Sequence, residues 1–265
     1  MRKKFGHALR LGISADGVAL LETRRWGREA TLLAELPLDA SHAFPVALAG
    51  AVTALLNDAQ RDGWPLSVVL ADELVRFWQV TPPPACARMA DLEAAAALRF
   101  QQLYGEPAAG WQLRADWQLT RPFLAAAIPV SLVAALQQAT SAHAMRLIEV
   151  APQFVVLFNR WRAGLAAGDW FGVVHDGVLT LGVCDGGIVA MRALAIDAAA
   201  SAPSAWLQGQ LAREALRLNR PAPERLRLCG AAPAAWAALP GCVLLDQADA
   251  TASPLARLAG AGSAA

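Results

Sequence analysis

One order of local patterns occurs twice along this chain, and it limits the folds open to it more than any single motif. Two short apolar runs, Ala8 to Ile13 and Val18 to Thr23, flank a turn at Ala15-Asp16-Gly17. Asp-Gly between two such runs signals a β-hairpin, because its residues accept the positive φ angles of a tight turn. A second turn at Trp26-Gly27 leads into Ala30 to Leu36, which completes a three-stranded meander. Pro45 then opens a helix reaching about Gln60, and Leu66 to Leu70 reads as a buried strand. The same order returns about 160 residues later, too long a period for a solenoid repeat. Trp170 to Val174, a turn at Asp176-Gly177, Val178 to Val183, a turn at Asp185-Gly186-Gly187 and Ile188 to Ile196 form the second meander. A helix from Ser204 to Leu218, a strand from Arg225 to Cys229, a small-residue turn at Gly230-Ala231-Ala232, a short helix and a strand at Val243 to Leu245 follow it.

Between the two repeats lies other material. Leu74 to Val80 reads as a strand stopped by Pro82-Pro83-Pro84. Asp91 to Tyr104 reads as a helix, with Leu92, Ala96, Phe100 and Leu103 in one apolar stripe and Gly105 at its end. Trp111 to Leu119 and Phe123 to Ile128 read as paired strands. A helix to about His143, a strand from Arg146 to Val150 and a helix from Pro152 to Trp161 close this stretch. Gly164 to Gly168 marks the boundary. The expected organisation is a first lobe over 1–165 with a subdomain inserted at about 72–130, a second lobe over 166–250, and a flexible tail over 251–265.

Composition narrows the function classes. The net charge is +1, and the arginine clusters at Arg24, Arg25 and Arg28 and from Arg213 to Arg227 have acids among them, so nucleic acid is not an expected partner. The four cysteines, Cys86, Cys184, Cys229 and Cys242, show no metal spacing and read as buried thiols. Hydrophobic residues make up 56% of the chain, but much of that is alanine, and no apolar run approaches the roughly 20 residues of a membrane span. No metal site or catalytic residue is assigned. His175-Asp176 is the one adjacent His–acid pair, with no nucleophile motif to complete it, and Gly182 to Gly187 lacks the Lys-Ser/Thr of a phosphate-binding P-loop.

A duplicated β-β-β-α-β-α unit is the plan of the two-lobed actin-like, or ribonuclease H-like, α/β fold. Four places also resemble the PilM family of type IV pilus assembly proteins and the cytoplasmic domain of GspL in type II secretion. These are Leu11-Gly12-Ile13-Ser14, Asp91-Leu92-Glu93 through Phe100 to Tyr104 after the prolines, Trp170 through Asp197, and Arg225 through Ala232. The resemblance implies an ATP cleft at Ser14, Asp16, Gly17, Asp176, Gly177, Gly230 and Ala231. Each part of that cleft is altered. Ser14 stands where the family places a magnesium-holding aspartate, Asp176 is adjacent to its glycine rather than one residue removed, and Gly230-Ala231 replaces Gly-Gly.

The expectation is therefore a pseudo-ATPase without ATP or magnesium, serving as a cytoplasmic adaptor peripheral to the inner membrane and not inserted in it. It would bind the short tail of a PilN-like membrane protein and help dock an assembly ATPase. The alternatives are an ATP-binding protein, weak ATPase or small-molecule kinase of the actin-like superfamily, and an unrelated α/β binding module. Arg76, Phe77, Trp78 and Phe100 are the expected partner surface, since tryptophan and arginine are enriched at interface hot spots.

Overall fold

The computed structural model describes residues 6–24, 30–196, 203–245 and 252–261. In chain order it begins with β1 (His7–Ile13), β2 (Gly17–Arg24), β3 (Ala30–Pro37), α1 (Phe44–Ala59) and β4 (Pro65–Leu70). Next come β5 (Arg76–Val80), α2 (Met89–Tyr104), β6 (Trp111–Ala115), β7 (Phe123–Pro129), α3 (Val130–Ala142), β8 (Arg146–Pro152) and α4 (Gln153–Trp161). The last part holds β9 (Trp170–His175), β10 (Val178–Cys184), β11 (Ile188–Ala195), α5 (Ser204–Arg217), β12 (Leu226–Gly230), β13 (Cys242–Leu244) and α6 (Pro254–Gly260). The turn expected at Trp26-Gly27 lies outside the described residues.

The chain forms two compact units. The first comprises Met1–Arg76, Ile128–Arg160 and Thr251–Ala265, and the second comprises Phe77–Ala127 and Trp161–Ala250. Each carries a five-stranded sheet, ordered β3-β2-β1-β4-β8 in one and β11-β10-β9-β12-β13 in the other. The two orders are the same: an antiparallel meander whose first strand pairs in parallel with a fourth, which pairs in parallel with a fifth. Parallel neighbours need a crossover, and α1 supplies it between β3 and β4 as α5 does between β11 and β12.

In the first unit the central strand β1 is covered on both faces, so Leu9, Leu11, Gly12 and Ile13 are all buried and the strand is a near-continuous apolar run. Ala47, Leu48, Val52, Leu55 and Leu56 form the inner side of α1, which packs on α3. The span 251–265, expected to be a flexible tail, instead contains α6, which packs on β1 and β2. Its approach is close enough that a Cβ at Gly12 would lie 2.6 Å from the Ala259 backbone nitrogen. Ala19, Leu21 and Ala259 form a small buried cluster there. Ser253 caps α6, its hydroxyl accepting the Ala256 N–H at 2.9 Å, and it also bonds the Glu35 carboxylate.

In the second unit Trp170, Leu179, Leu181, Leu207, Leu228 and Trp236 are among the core residues, and Trp206 stacks on Trp236 at 5.7 Å. The smaller sheet, β5-β7-β6, packs against α2 around Trp78, Val80, Phe100 and Phe123. This is the segment that the sequence places inside the first lobe, yet it groups with the second unit. Polar contacts account for part of that grouping: the Gln79 amide donates to the Val189 carbonyl, and Arg121 donates to the Gly186 carbonyl at 3.1 Å.

Candidate functional site

The residues expected to form the cleft fall into two groups, Ser14, Asp16 and Gly17 in the first unit and Asp176, Gly177, Gly230 and Ala231 in the second. In the first unit β1 and β2 are joined by a turn that is closed upon itself. Ser14 is buried at the end of β1, and its Oγ accepts the N–H groups of both Asp16 and Gly17 at 3.2 Å. The Ser14 N–H goes to the Gly17 carbonyl at 3.0 Å. The Ala15 N–H goes to the Glu73 carboxylate at 3.2 Å. Every amide from Ser14 to Gly17 thus has an acceptor within the protein. A phosphate-binding turn works by presenting such N–H groups to the anion. This one presents them to a hydroxyl and to a carboxylate.

Glu73 is the site residue that sequence reasoning missed. It lies on a 3-10 turn, Asp72–Leu74, just beyond the carboxyl end of β4. β4 pairs in parallel with β1, so the segments that follow the two strands emerge side by side. Crevices at the carboxyl ends of parallel strands are where α/β sheets bind ligands. Once β1 and β4 are recognised as parallel neighbours, Asp72-Glu73 is the place to look for a group facing the first hairpin. Asp72 itself accepts the Phe154 N–H at 3.0 Å, tying the start of α4 to the same edge. Gly17 is fixed further, since a Cβ there would lie 2.9 Å from the Leu36 carbonyl oxygen.

In the second unit β9 and β10 are joined by only two residues, Asp176 and Gly177, with φ of 43° and 72°. Both lie in the left-handed region, as a type I′ hairpin requires, and glycine takes it at no steric cost. Asp176 is exposed at the tip, while His175 is buried at the strand end. A turn this short leaves no loop to wrap a phosphate. Gly230 ends β12 with φ of 79°, and a Cβ there would lie 2.3 Å from the Val174 carbonyl oxygen. The same oxygen accepts the Ala231 N–H at 2.9 Å. The ends of β9 and β12 are therefore pinned together, which brings Gly230 and Ala231 beside the strand that leads into Asp176 and Gly177. Among the described residues no group of His, Cys, Asp or Glu is arranged to hold a metal ion.

The expected partner surface is corrected in half of its members. Arg76 is exposed and Phe77 half-buried, but Trp78 is 3% exposed and Phe100 is 0% exposed. Their rings meet edge to face at 5.1 Å inside the small subdomain, and the Tyr104 hydroxyl closes the cluster by donating to the Phe77 carbonyl at 2.8 Å. The reason is strand alternation. Trp78 and Val80 share the face that α2 covers, and Phe77 and Gln79 point the other way. Trp78 and Phe100 are core residues and offer no surface to a partner.

No family model matches the sequence, and no curated protein matches it. Solved structures do match. The PilM-PilN type IV pilus biogenesis complex aligns with a TM-score of 0.59 at 17% identity, over 85% of this chain and 81% of that one. The cytoplasmic domain of EpsL, an inner membrane component of the type II secretion system of Vibrio cholerae, aligns with a TM-score of 0.54 at 13% identity, over 96% of this chain and 94% of that one. A Bacteroides thetaiotaomicron protein with an actin-like ATPase fold and unknown function aligns with a TM-score of 0.57 at 13% identity, over 86% and 83%. Identities this low speak for architecture alone, and on architecture they agree with the duplicated strand order: the chain has the actin-like ATPase fold.

Proposed function

We propose that this chain is a non-catalytic adaptor of a type IV pilus or type II secretion-like assembly platform, one that binds the cytoplasmic tail of an inner-membrane partner. The closed turn at Ser14–Gly17 carries the non-catalytic half of the reading. To bind a phosphate there, the turn would have to surrender its bonds to Ser14 Oγ and to Glu73. The bond to the carboxylate is exposed to solvent and long, so its net value is at most about 1 kcal/mol, while the two bonds to the buried Ser14 hydroxyl add to it. The Glu73 carboxylate would then face the phosphate charge at short range. The two-residue Asp176-Gly177 turn offers no compensating cradle. The residues present do not fit magnesium and ATP.

The adaptor half rests on two of the similar structures, one a PilM-PilN complex and the other the cytoplasmic domain of an inner membrane component. No helix among the described residues is long and apolar enough to cross a membrane, so on this reading a partner supplies the tether. Titration calorimetry of the full chain with Mg-ATP, followed by fractionation of cells with and without the partner's cytoplasmic tail, tests both halves. The reading requires no heat of nucleotide binding at millimolar ATP and, in membranes washed at high salt to strip electrostatic adsorption, loss of the chain from the membrane fraction when the tail is removed. ATP turnover above that of an Asp176→Ala variant would restore the weak ATPase or kinase in its place.

A further inference from the structure

The solvent face of α5 has a charge pattern unlike that of an ordinary surface helix. Leu207, Leu211 and Ala215 turn inward onto the core of the second unit. The outward stripe consists of Ala205, Gly209, Ala212, Arg213, Leu216 and Arg217, with Arg220 continuing it past the helix end, and all of them are exposed. Surface helices ordinarily mix acids with bases at i, i+3 and i+4 spacing. This stripe has no acid. The helix's one carboxylate, Glu214, is buried, with Arg217 at 2.6 Å and Arg192 of β11 at 3.5 Å. One inward carboxylate is thus shared by two outward arginines. Arg213 has no acidic partner among the described residues, and Arg220 reaches Asp185 only at 3.7 Å. Glu224 is the nearest exposed acid along the chain beyond this stripe. At the centre of the basic stripe sits Leu216, 82% exposed, more than any other large hydrophobic among the described residues.

We propose that this face of α5 adsorbs to the surface of a bilayer containing anionic lipids, with Arg213, Arg217 and Arg220 over the headgroups and Leu216 at the headgroup boundary. The inference does not depend on the adaptor reading. Two features favour a lipid surface over an acidic peptide. Peptide recognition uses a groove in which anchors are buried, whereas the stripe is the convex side of a helix. The small residues Ala205, Gly209 and Ala212 leave the arginines and Leu216 as its most prominent side chains, a shape suited to a flat charged plane. α5 does not insert, because its apolar side is already committed to the core. Attraction is therefore electrostatic, amounts to about fivefold near an anionic leaflet for Arg213 and less for Arg217 and Arg220, which already hold Glu214 and Asp185, and fades beyond a Debye length.

The test is flotation of the full chain with vesicles of phosphatidylcholine alone and with vesicles that include phosphatidylglycerol. Binding is expected only to the second kind, with loss at high salt. Arg213→Glu should weaken it by about tenfold or more, and Leu216→Ser by a few-fold. Arg99→Glu, the same charge change on an exposed position of α2, should leave it within about twofold, which separates this face from net charge. All three positions are exposed, so folding is checked by an unchanged melting curve. Equal binding to both vesicle types, no binding to either, or indifference to Arg213→Glu overturns the proposal. So does the outcome in which soluble polyglutamate binds in an Arg213-dependent way while the vesicles do not, for the face would then read acidic protein.

Discussion

Ser14 does for the first hairpin what a capping residue does for a helix: one hydroxyl satisfies two backbone amides that strand pairing leaves over. The Gly17 amide is buried, so it has no water to turn to if the hydroxyl is removed, whereas Asp16 is exposed. Ser14→Ala should therefore cost roughly 1–2 kcal/mol, read as a lowered urea midpoint with unchanged slope. A cost near zero would mean that the turn relaxes and that its closure is incidental. Glu22 makes a second residue-scale case. Burial by itself would raise its pKa, but hydrogen bonds from His7 at 2.8 Å and from Arg61 at 3.3 Å outweigh this and hold it below the ordinary glutamate value. A depressed carboxylate pKa contributes stability that is present above the unfolded value, about 4.5, and lost as pH falls through the folded one. Glu22→Gln should thus flatten the fall in stability below about pH 5, measured as urea midpoint against pH. A variant that tracks the wild type throughout the acid range would show that the His7 and Arg61 bonds contribute nothing net.

At the scale of elements, the meanders and the long helices were legible in the sequence because each carries its own period and its own stop signal. Asp-Gly marked both hairpins, Pro45 marked the start of α1, and Gly105 marked the end of α2 with φ of 71°. Other parts were not legible, because nothing local specifies them. Trp78 and Phe77 are neighbours on one strand, and which of them faces α2 is decided only when the helix packs. Glu73 meets the Ser14 turn because two strands distant in sequence pair in parallel. Helix α6 is short and rich in alanine and glycine, so it has hardly any periodicity to read, although Ser253-Pro254 is a helix-start signal. Its place is set by Gly12 and Ala19, whose lack of bulk lets a helix backbone reach the sheet. Gly12→Ala should accordingly displace α6 or strain β1, because the obstructing atom belongs to backbone and cannot rotate away. The expected cost is about 1–3 kcal/mol. Amide hydrogen exchange is the apt readout, since protection should fall first at Ala259, Gly260 and Ala261. If exchange there is unchanged, the contact with Gly12 is not what holds the helix.

For the whole molecule, the repeated strand order gives each unit a sheet of the same design, with its candidate site at the carboxyl ends of the parallel strands. In a nucleotide-binding member of such a fold, those edges must keep backbone N–H groups unpaired until a phosphate arrives. In the first unit the same positions are finished by internal bonds, to Ser14 Oγ and to Glu73, while in the second the Val174 carbonyl takes the Ala231 N–H and the hairpin has only two turn residues. Closing the first turn in this way stabilises the empty chain, and on the adaptor reading proposed above a nucleotide then gains too little to bind. Any ligand that binds only the folded state raises stability, by about 2.7 kcal/mol when its concentration is a hundred times Kd. For a chain of this size that is a rise in Tm of roughly 5–10 °C. Millimolar Mg-ATP should therefore move the Tm of the wild type by less than about 1 °C. Ser14→Asp alone should not change that result, since it adds a second carboxylate beside Glu73 and leaves the Asp176-Gly177 turn as it is. A shift of several degrees in the wild type would place Kd in the micromolar range and would mean that the turns open to admit a phosphate. A shift that appears only in Ser14→Asp would instead locate the whole obstruction at one side chain, and the bonds accepted by Glu73 and by the Val174 carbonyl would then be no barrier at all.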